Sequence, residues 1–447
     1  MLHECTPRTI QGPESVGIQH SIVMGLTPTM GAMSKVMSDR APRRVAVVGA
    51  GMVGLCTAWY LQEYGVEVTV LDRARVASGS SWGNAGWLTP SMATPLPGPE
   101  VLKYGLRAVL EPSSPVYVPP SASPRLLRFL AGFVGNSTQR RWDRAMAALV
   151  PLNRAALEAF AEMEATGLKA TSRPAEPFTI AYRGERSRQA VLEEFEHIQA
   201  AGQPVDFDLL DADEAIAAVP ALSSRISCAV ALKGQRFIDP AAFVRALAEA
   251  VVSRGGVLRE GAEVARVAVG EDGARVGGAR YDAVTLATGA QLNTAVRPFG
   301  VRRIVQAGRG YSFSVKTEKL PDGPVYFPAE RLACTPLGDR LRVAGMMEFR
   351  PAEAPLDPRR IAAMTTAIKQ LLDGLHLDDR SDEWVGSRPC TTDGLPLIGR
   401  TRHPRVFVAG GHGMWGITLG PVTGKLLAQQ IVSGRTPSEL RAVDPLR

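Results

Sequence analysis

Residues Arg44 to Arg73 read RVAVVGAGMVGLCTAWYLQEYGVEVTVLDR, and the rest of the chain is organised around this stretch. Val45 to Val48 is an apolar, β-branched run of strand length, and Gly49-x-Gly51-x-x-Gly54 follows it directly. A helix-length segment comes next, then a break at Gly65, a second strand-like run from Val66 to Leu71, and Asp72 at its tip. Strand, glycine turn, helix, strand and acid in this order form the βαβ dinucleotide fingerprint in full context. Gly49 permits the tight turn, Gly51 lets a pyrophosphate approach the backbone, and Gly54 allows helix and strand to pack closely. The helix start presents free N–H groups and its positive dipole end to the phosphates. Asp72 can accept hydrogen bonds from the ribose hydroxyls. The stretch specifies a dinucleotide and leaves its identity open.

Composition narrows the class. The chain has 447 residues, 45% hydrophobic and 21% charged, which is globular and long enough for two or three domains with their own cores. The net charge is +7, but its arginines form no long basic run, so no nucleic-acid partner is expected. Cys5, Cys56, Cys228, Cys334 and Cys390 are scattered, with no CxxC and no histidine at ligand spacing. That excludes a disulfide framework, points to no metal site, and fits a reducing, cytoplasmic compartment. No apolar run reaches the ~18 residues of a membrane span. Residues 1–42 lack an apolar signal core and a cleavage site. They are expected to be a disordered leader, or an over-long start with Met33 or Met37 as the initiator.

The chain beyond the fingerprint alternates in type. Residues 73–97 are rich in Ser, Gly and Pro and read as a long functional loop. Arg125 to Val134 is a short amphipathic segment, and a helix is expected over 140–166. Strands are expected at Phe178–Tyr182 and 224–232, and helices at 187–201 and 211–219. Asp239-Pro240 opens a helix with an Asp cap and Pro in its first turn. Strands follow at 257–258, 263–269 and 282–287, and a β-rich region over 300–384 is interrupted by a helix at 357–372. The tail repeats the opening logic: a strand at Val406–Ala409, the loop Gly410 to Gly416, then a helix. The expected fold is α/β with two domains, a Rossmann-like nucleotide-binding domain carrying an inserted β-sheet substrate domain. The first comprises residues 43–165, 236–300 and 385–447, and the second residues 166–235 and 301–384.

Together these pieces resemble the FAD-dependent amino-acid oxidoreductases, a family that includes D-amino acid oxidase, glycine and sarcosine oxidases and the bacterial D-amino acid dehydrogenases. Gly49 to Gly54, with Ala58 and Gly65 downstream, is similar to the family's FAD fingerprint. Ser81-Trp82-Gly83-Asn84-Ala85-Gly86 resembles the S-x-x-N-A-G loop of the dehydrogenases. Ala287-Thr288-Gly289-Ala290 resembles the second FAD-binding turn, and Val264 falls where a backbone contact to adenine is usual. Gly308 to Ser312 is similar to a G-Y-S substrate-side strand, Arg388 to Pro396 to an R-P-x-T-x-D-G-x-P segment, and Gly411 to Gly416 to a C-terminal flavin loop. The implied cofactor is FAD. Its binding set would be Gly49, Gly51, Met52, Val53 and Gly54; Asp72 and Arg73; Ser80, Ser81, Asn84, Ala85 and Gly86; Val264; Thr288 and Gly289; and Gly413, Met414, Trp415, Gly416, Ile417 and Thr418.

The resemblance also implies a reaction: oxidative deamination of a D-amino acid by hydride transfer from Cα to flavin N5, giving a 2-oxo acid and ammonia. Arg388 is the candidate carboxylate clamp, because a guanidinium fork matches a carboxylate bidentately. Tyr311 would donate a hydroxyl to the same carboxylate. His412 stands in the catalytic set as a possible base, although the loop works through backbone and a neutral amine needs little base. Trp87, Tyr326 and Trp415 are candidates for the pocket wall or for core packing. Cys390 is displaced from the position where some relatives link flavin to cysteine, so non-covalent FAD is expected. Oxidation of a secondary amine or cyclic imino acid, such as sarcosine, proline or hydroxyproline, is the alternative, and a partner-serving flavoprotein without its own substrate is a third reading. The electron acceptor would be a quinone, a carrier protein or oxygen. The Arg125–Val134 segment raises peripheral contact with the inner membrane face, against an ordinary domain helix.

Overall fold

Arg44–Val48 forms the centre of a sheet because its apolar residues are covered on both faces; Val45, Ala46 and Val47 are fully buried. It pairs in parallel with Glu67–Leu71 on one side and Ala283–Leu286 on the other. The full order is Val257–Arg259, Glu67–Leu71, Arg44–Val48, Ala283–Leu286, Val406–Gly410 and Leu397–Arg400, all parallel except the last pair. Continuous apolar runs are what such a doubly covered parallel sheet requires. The computed structural model describes residues 41–101 and 114–447. The expected leader up to residue 40, Cys5 and the candidate initiators Met33 and Met37 lie outside them.

Helices Met52–Glu63, Gln139–Ala165, Pro240–Ser253 and Gly420–Ser433 cover one face of this sheet, and their apolar sides join it in one core. The other face carries the antiparallel meander Ala268–Gly270, Gly273–Val276 and Ala279–Tyr281, with Leu292, Val296 and Phe299. The Asp239 cap forms as read: its carboxylate accepts from the amides of Ala241 and Ala242 at 2.9 and 3.0 Å.

A second, nine-stranded sheet contains Val305–Thr317, Arg340–Glu348, Leu332–Leu337, Val325–Phe327, Phe178–Tyr182 and Cys228–Leu232, with Leu375–Thr391 at one edge and Phe207–Asp211 at the other. Helix Pro358–Ile368 packs on it through Ile361, Met364 and Ile368. The fold is therefore α/β, with a Rossmann-like layer and a large, mostly antiparallel sheet. Three readings need correction. The strand expected over 263–269 is confined to Ala268–Gly270. The one expected over 224–232 begins only at Cys228. Leu375–Thr391 is a single strand that runs through the expected boundary at residue 384. Among the described residues no helix is long and apolar enough to cross a membrane.

Candidate active site

The dinucleotide turn is built from contacts that tolerate no side chain. Gly49 has φ +116°, and a Cβ there would stand 2.4 Å from the Ala287 carbonyl oxygen. A Cβ on Gly54 would come within 2.0 Å of the Gly49 carbonyl oxygen. The helix that follows begins at Met52 with no side-chain cap bond and no acid in its first turn. Its positive end is thus left for an outside anion. The Met52 amide donates to Ser81 Oγ at 3.2 Å, which brings the S-x-x-N-A-G loop to the same point. Asp72 is more committed than the sequence implied: its carboxylate accepts from the amides of Ala50 (2.7 Å) and Ala74 (2.9 Å). It braces the turn and lines the cavity, where its remaining lone pairs can accept from a ribose.

A cavity of about 1430 Å³ opens from this turn, larger than the ~300–1,000 Å³ of ordinary small-ligand pockets. Its wall includes Gly49, Gly51, Met52, Val53, Gly54, Asp72 and Arg73 from the fingerprint and Ser80, Ser81, Asn84 and Ala85 from the loop. Val264, Thr288 and Gly289 also line it, as do Gly413, Met414, Trp415, Gly416 and Ile417. Two expected members stand behind the wall instead. Gly86 backs onto the Ile238 carbonyl, where a Cβ would come within 2.1 Å, and Thr418 donates its hydroxyl to Trp87 O at 2.9 Å. Thr288 Oγ1 is buried with no hydrogen-bond partner, an orphan that a ligand in this cavity would satisfy. With the uncapped helix start, it makes the cavity a fit for FAD.

At the other end the glycine loop spends part of its backbone on the protein. The amides of Gly413 and Trp415 donate to Pro389 O and His412 O, both at 2.9 Å. Those of Met414, Gly416 and Ile417 are the candidates for a flavin. His412 is 3% exposed, its Nε2 lies 2.9 Å from the Thr423 hydroxyl, and burial pushes its pKa down to about 4. It lines the cavity as a neutral imidazole that ties the loop to the helix.

Arg388 also lines the cavity. It lies opposite Gly308 in the register of two antiparallel strands, and its guanidinium crosses Gly310, where a Cβ would fall 2.2 Å from Cζ. Nη1 donates to the Met346 carbonyl at 2.7 Å, and Met346 holds a left-handed φ of 60°. Such a conformation in a non-glycine residue costs of order 1–3 kcal/mol and persists where the surroundings enforce it. Burial presses the pKa of Arg388 down, yet guanidinium stays charged. Among the described residues no acid pairs with it.

Tyr311 does not join Arg388. Side chains alternate across a strand, so Gly308 and Gly310 face the guanidinium while Arg309 and Tyr311 face the opposite side. Tyr311 is 1% exposed, lies in the core with Phe313 and Val315, and donates its hydroxyl to Glu348 Oε1 at 2.7 Å. Burial and Glu348 push its pKa up to about 12. Tyr311→Phe should therefore cost about 2 kcal/mol in urea denaturation, the scale of a hydrogen bond to a charged group. It should leave kcat/KM within about twofold of wild type; a tenfold rise in KM would return Tyr311 to the clamp.

The wall candidates Trp87, Tyr326 and Trp415 all line the cavity, the first two with ring centroids 5.3 Å apart. Two lining residues escaped the sequence reading. Arg331 stands on a turn with φ 56°, and the Trp384 ring presses against Gly83 and Gly386, where Cβ atoms would come within 2.1 and 1.9 Å. Neither Arg331 nor Trp384 carries a local sequence signal for this placement.

Comparison with known proteins bears on family and fold. Residues 44–430 match the family described as FAD dependent oxidoreductase (DAO). A D-amino acid dehydrogenase of Cereibacter sphaeroides is 32% identical over 417 residues, covering 90% of this chain and 94% of that protein. One of Rhizorhabdus wittichii is 31% identical, covering 88% and 97%. Among solved structures, glycine oxidase of Geobacillus kaustophilus superposes with a TM-score of 0.68 at 22% identity, covering 91% of this chain and 99% of that one. L-proline dehydrogenase of P. horikoshii superposes with 0.64 at 18%, covering 91% and 98%. These two likenesses concern the fold.

Proposed function

The chain belongs to the DAO family of FAD-dependent oxidoreductases, and from that membership we propose that it oxidises D-amino acids to 2-oxo acids and ammonia. The observation that carries the reading is Arg388, a buried cation on the cavity wall without an acid partner among the described residues. A buried unpaired charge is costly, and a substrate carboxylate supplies the missing partner bidentately. The names of the similar dehydrogenases support the D configuration.

Bound FAD supplies a two-electron oxidation of the substrate's Cα–N bond. The chain's own residues supply position. Arg388, anchored at Nη1 by Met346, fixes the carboxylate and with it the direction of Cα–H. Trp87, Tyr326 and Met347 line the same cavity, with the Met347 sulfur 3.9 Å from Arg388 Nη1. His412, neutral and bound to Thr423, holds the loop and takes no proton from the amine. The imino acid that leaves is hydrolysed by water, and the two electrons pass to a quinone, a carrier protein or oxygen.

An anaerobic titration of D- and L-amino acids, followed by flavin absorbance, tests the proposal. D-amino acids should bleach the flavin and release stoichiometric ammonia, and acid precipitation should leave the flavin in the supernatant. An aldehyde or ring imine in place of ammonia would shift the reading to a secondary amine. A flavin that no amino acid bleaches would end it.

A further inference from the structure

The cavity wall carries a second arginine, Arg331, besides Arg388 at the substrate-side sheet. Strand register sets how the two stand. Leu332 pairs with Gly345 and Ala333 with Ala344 in antiparallel strands. Carried one residue further, this register puts Arg331 beside Met346, the residue whose carbonyl anchors Arg388. Gly345 allows the close approach: a Cβ there would stand 2.7 Å from the Arg331 carbonyl oxygen. Arg331 and Met346 both hold left-handed backbone, with φ 56° and 60°, which in non-glycine residues the surroundings must enforce. The Arg388 guanidinium crosses Gly310 on Val305–Thr317, and Arg340–Glu348 lies between that strand and Leu332–Leu337. Two strand spacings, on the order of 10 Å, therefore separate the backbones that present the two cations.

The wall around Arg331 is polar without being acidic. Tyr326, paired with Ala333 on the next strand, lines the cavity and takes a side-chain hydrogen bond from Arg331. Two residues on from Trp87, which meets the Tyr326 ring, stands Thr89. Thr89 is fully buried on the cavity wall, and its hydroxyl has no hydrogen-bond partner among the described residues. Among the described residues the acids on this wall are Asp72, Glu263 and Glu353. The first two stand at the nucleotide end, where the Ala262 amide donates to the Asp72 carbonyl, and Glu353 is bonded to Gln291 at 2.9 Å. Glu194 comes within electrostatic reach of Arg331 but does not line the cavity. A cation with two hydroxyls and no acid on the wall beside it attracts an anionic side chain and repels a cationic one.

We infer that Arg331 determines specificity for a substrate with a second carboxylate: Arg388 takes the α-carboxylate, and Arg331, with the Tyr326 and Thr89 hydroxyls, takes one in the side chain. The preferred substrates are then the acidic D-amino acids, D-glutamate and D-aspartate. This rests on the proposed oxidation of D-amino acids and names the class of side chain that the site selects.

Anaerobic bleaching of the FAD-loaded full chain by D-glutamate, D-aspartate, D-alanine and D-arginine tests the inference, with glutarate as an unreactive probe of binding. D-Glutamate or D-aspartate should bleach the flavin about tenfold or more faster than D-alanine at equal, subsaturating concentration, and D-arginine should be the slowest. Glutarate should perturb the spectrum of the oxidised flavin and compete with D-glutamate. Asparagine tolerates left-handed backbone, so Arg331→Asn is the variant of choice. In it the ratio of D-glutamate to D-alanine bleaching rates should fall about tenfold or more, and glutarate should bind more weakly by a similar factor. Arg331→Lys keeps the charge and should retain part of the ratio. The inference is overturned if wild type prefers D-alanine or D-arginine. It is also overturned if Arg331→Asn slows D-alanine as much as D-glutamate, which would make Arg331 a second clamp on the α-carboxylate or a structural residue. A flavin that D-alanine bleaches fastest removes the acidic side-chain site and leaves the oxidation standing, whereas one that no amino acid bleaches ends both.

Discussion

Replacing Arg388 with alanine should cut kcat/KM for a D-amino acid by about 10³-fold, the cost of truncating one partner of a buried charge pair, while FAD stays bound. The nucleotide end of the cavity is held by the Gly49–Gly54 turn and Ser81, on other elements, so the ratio of flavin to protein absorbance should match wild type. Arg388→Lys keeps the charge but loses the fork and the anchor on Met346, and should recover only a small part of the loss. Stability separates this site from an ordinary ion pair. Arg388 has no acid partner among the described residues and bears the cost of desolvation alone, so Arg388→Met should leave Tm unchanged or raise it. A variant that turned over D-amino acids at the wild-type rate would remove the carboxylate clamp. One that melted well below wild type would give Arg388 a structural partner instead.

The parts of this site that the sequence disclosed are those whose signals are local. The Gly49–Asp72 unit is contiguous, and its strand, glycine spacing, helix, second strand and acid are read in one stretch. Arg388 was reachable because Arg388-Pro389 and Asp393-Gly394 stand in one segment. Tyr311 failed through parity: it lies one residue from Gly310, and in a strand one residue reverses the face. A register shift between Arg309 and Tyr311 marks a bulge at the same place, which no composition reveals. The strand Leu375–Thr391 went largely unread because it lies at a sheet edge and its first half, LHLDDRSDEW, is polar and mostly exposed. Only Leu375 and Leu377 keep an apolar alternation there. Arg331 and Trp384 are brought to the cavity by long-range pairing, and nothing beside them in sequence announces it.

The opposite face of the same strand predicts the largest loss of stability. Arg309 and Glu348 are both fully buried and pair across two strands, with Arg309 Nη1 3.1 Å from Glu348 Oε1. The pair is close without the alignment of a hydrogen bond. Tyr311 donates to the same carboxylate oxygen, Arg350 approaches the other at 3.6 Å, and Arg309 Nη2 reaches the Pro355 carbonyl at 3.0 Å. Glu348→Gln keeps the shape and removes the charge, leaving the Arg309 guanidinium uncompensated. That should cost about 3–5 kcal/mol, a large share of the roughly 5–15 kcal/mol that holds a typical protein folded. Urea denaturation of the FAD-loaded protein measures it. The double variant Arg309→Met with Glu348→Leu should recover most of the loss, because apolar side chains can replace a buried pair at little cost. If Glu348→Gln alone unfolds at the wild-type midpoint, the pair is not what holds this face. Arg309 and Arg388 thus present one chemistry in two states on adjacent strands. The protein gives the first its carboxylate and so fixes the strand, and it leaves the second without one, so that a substrate completes it.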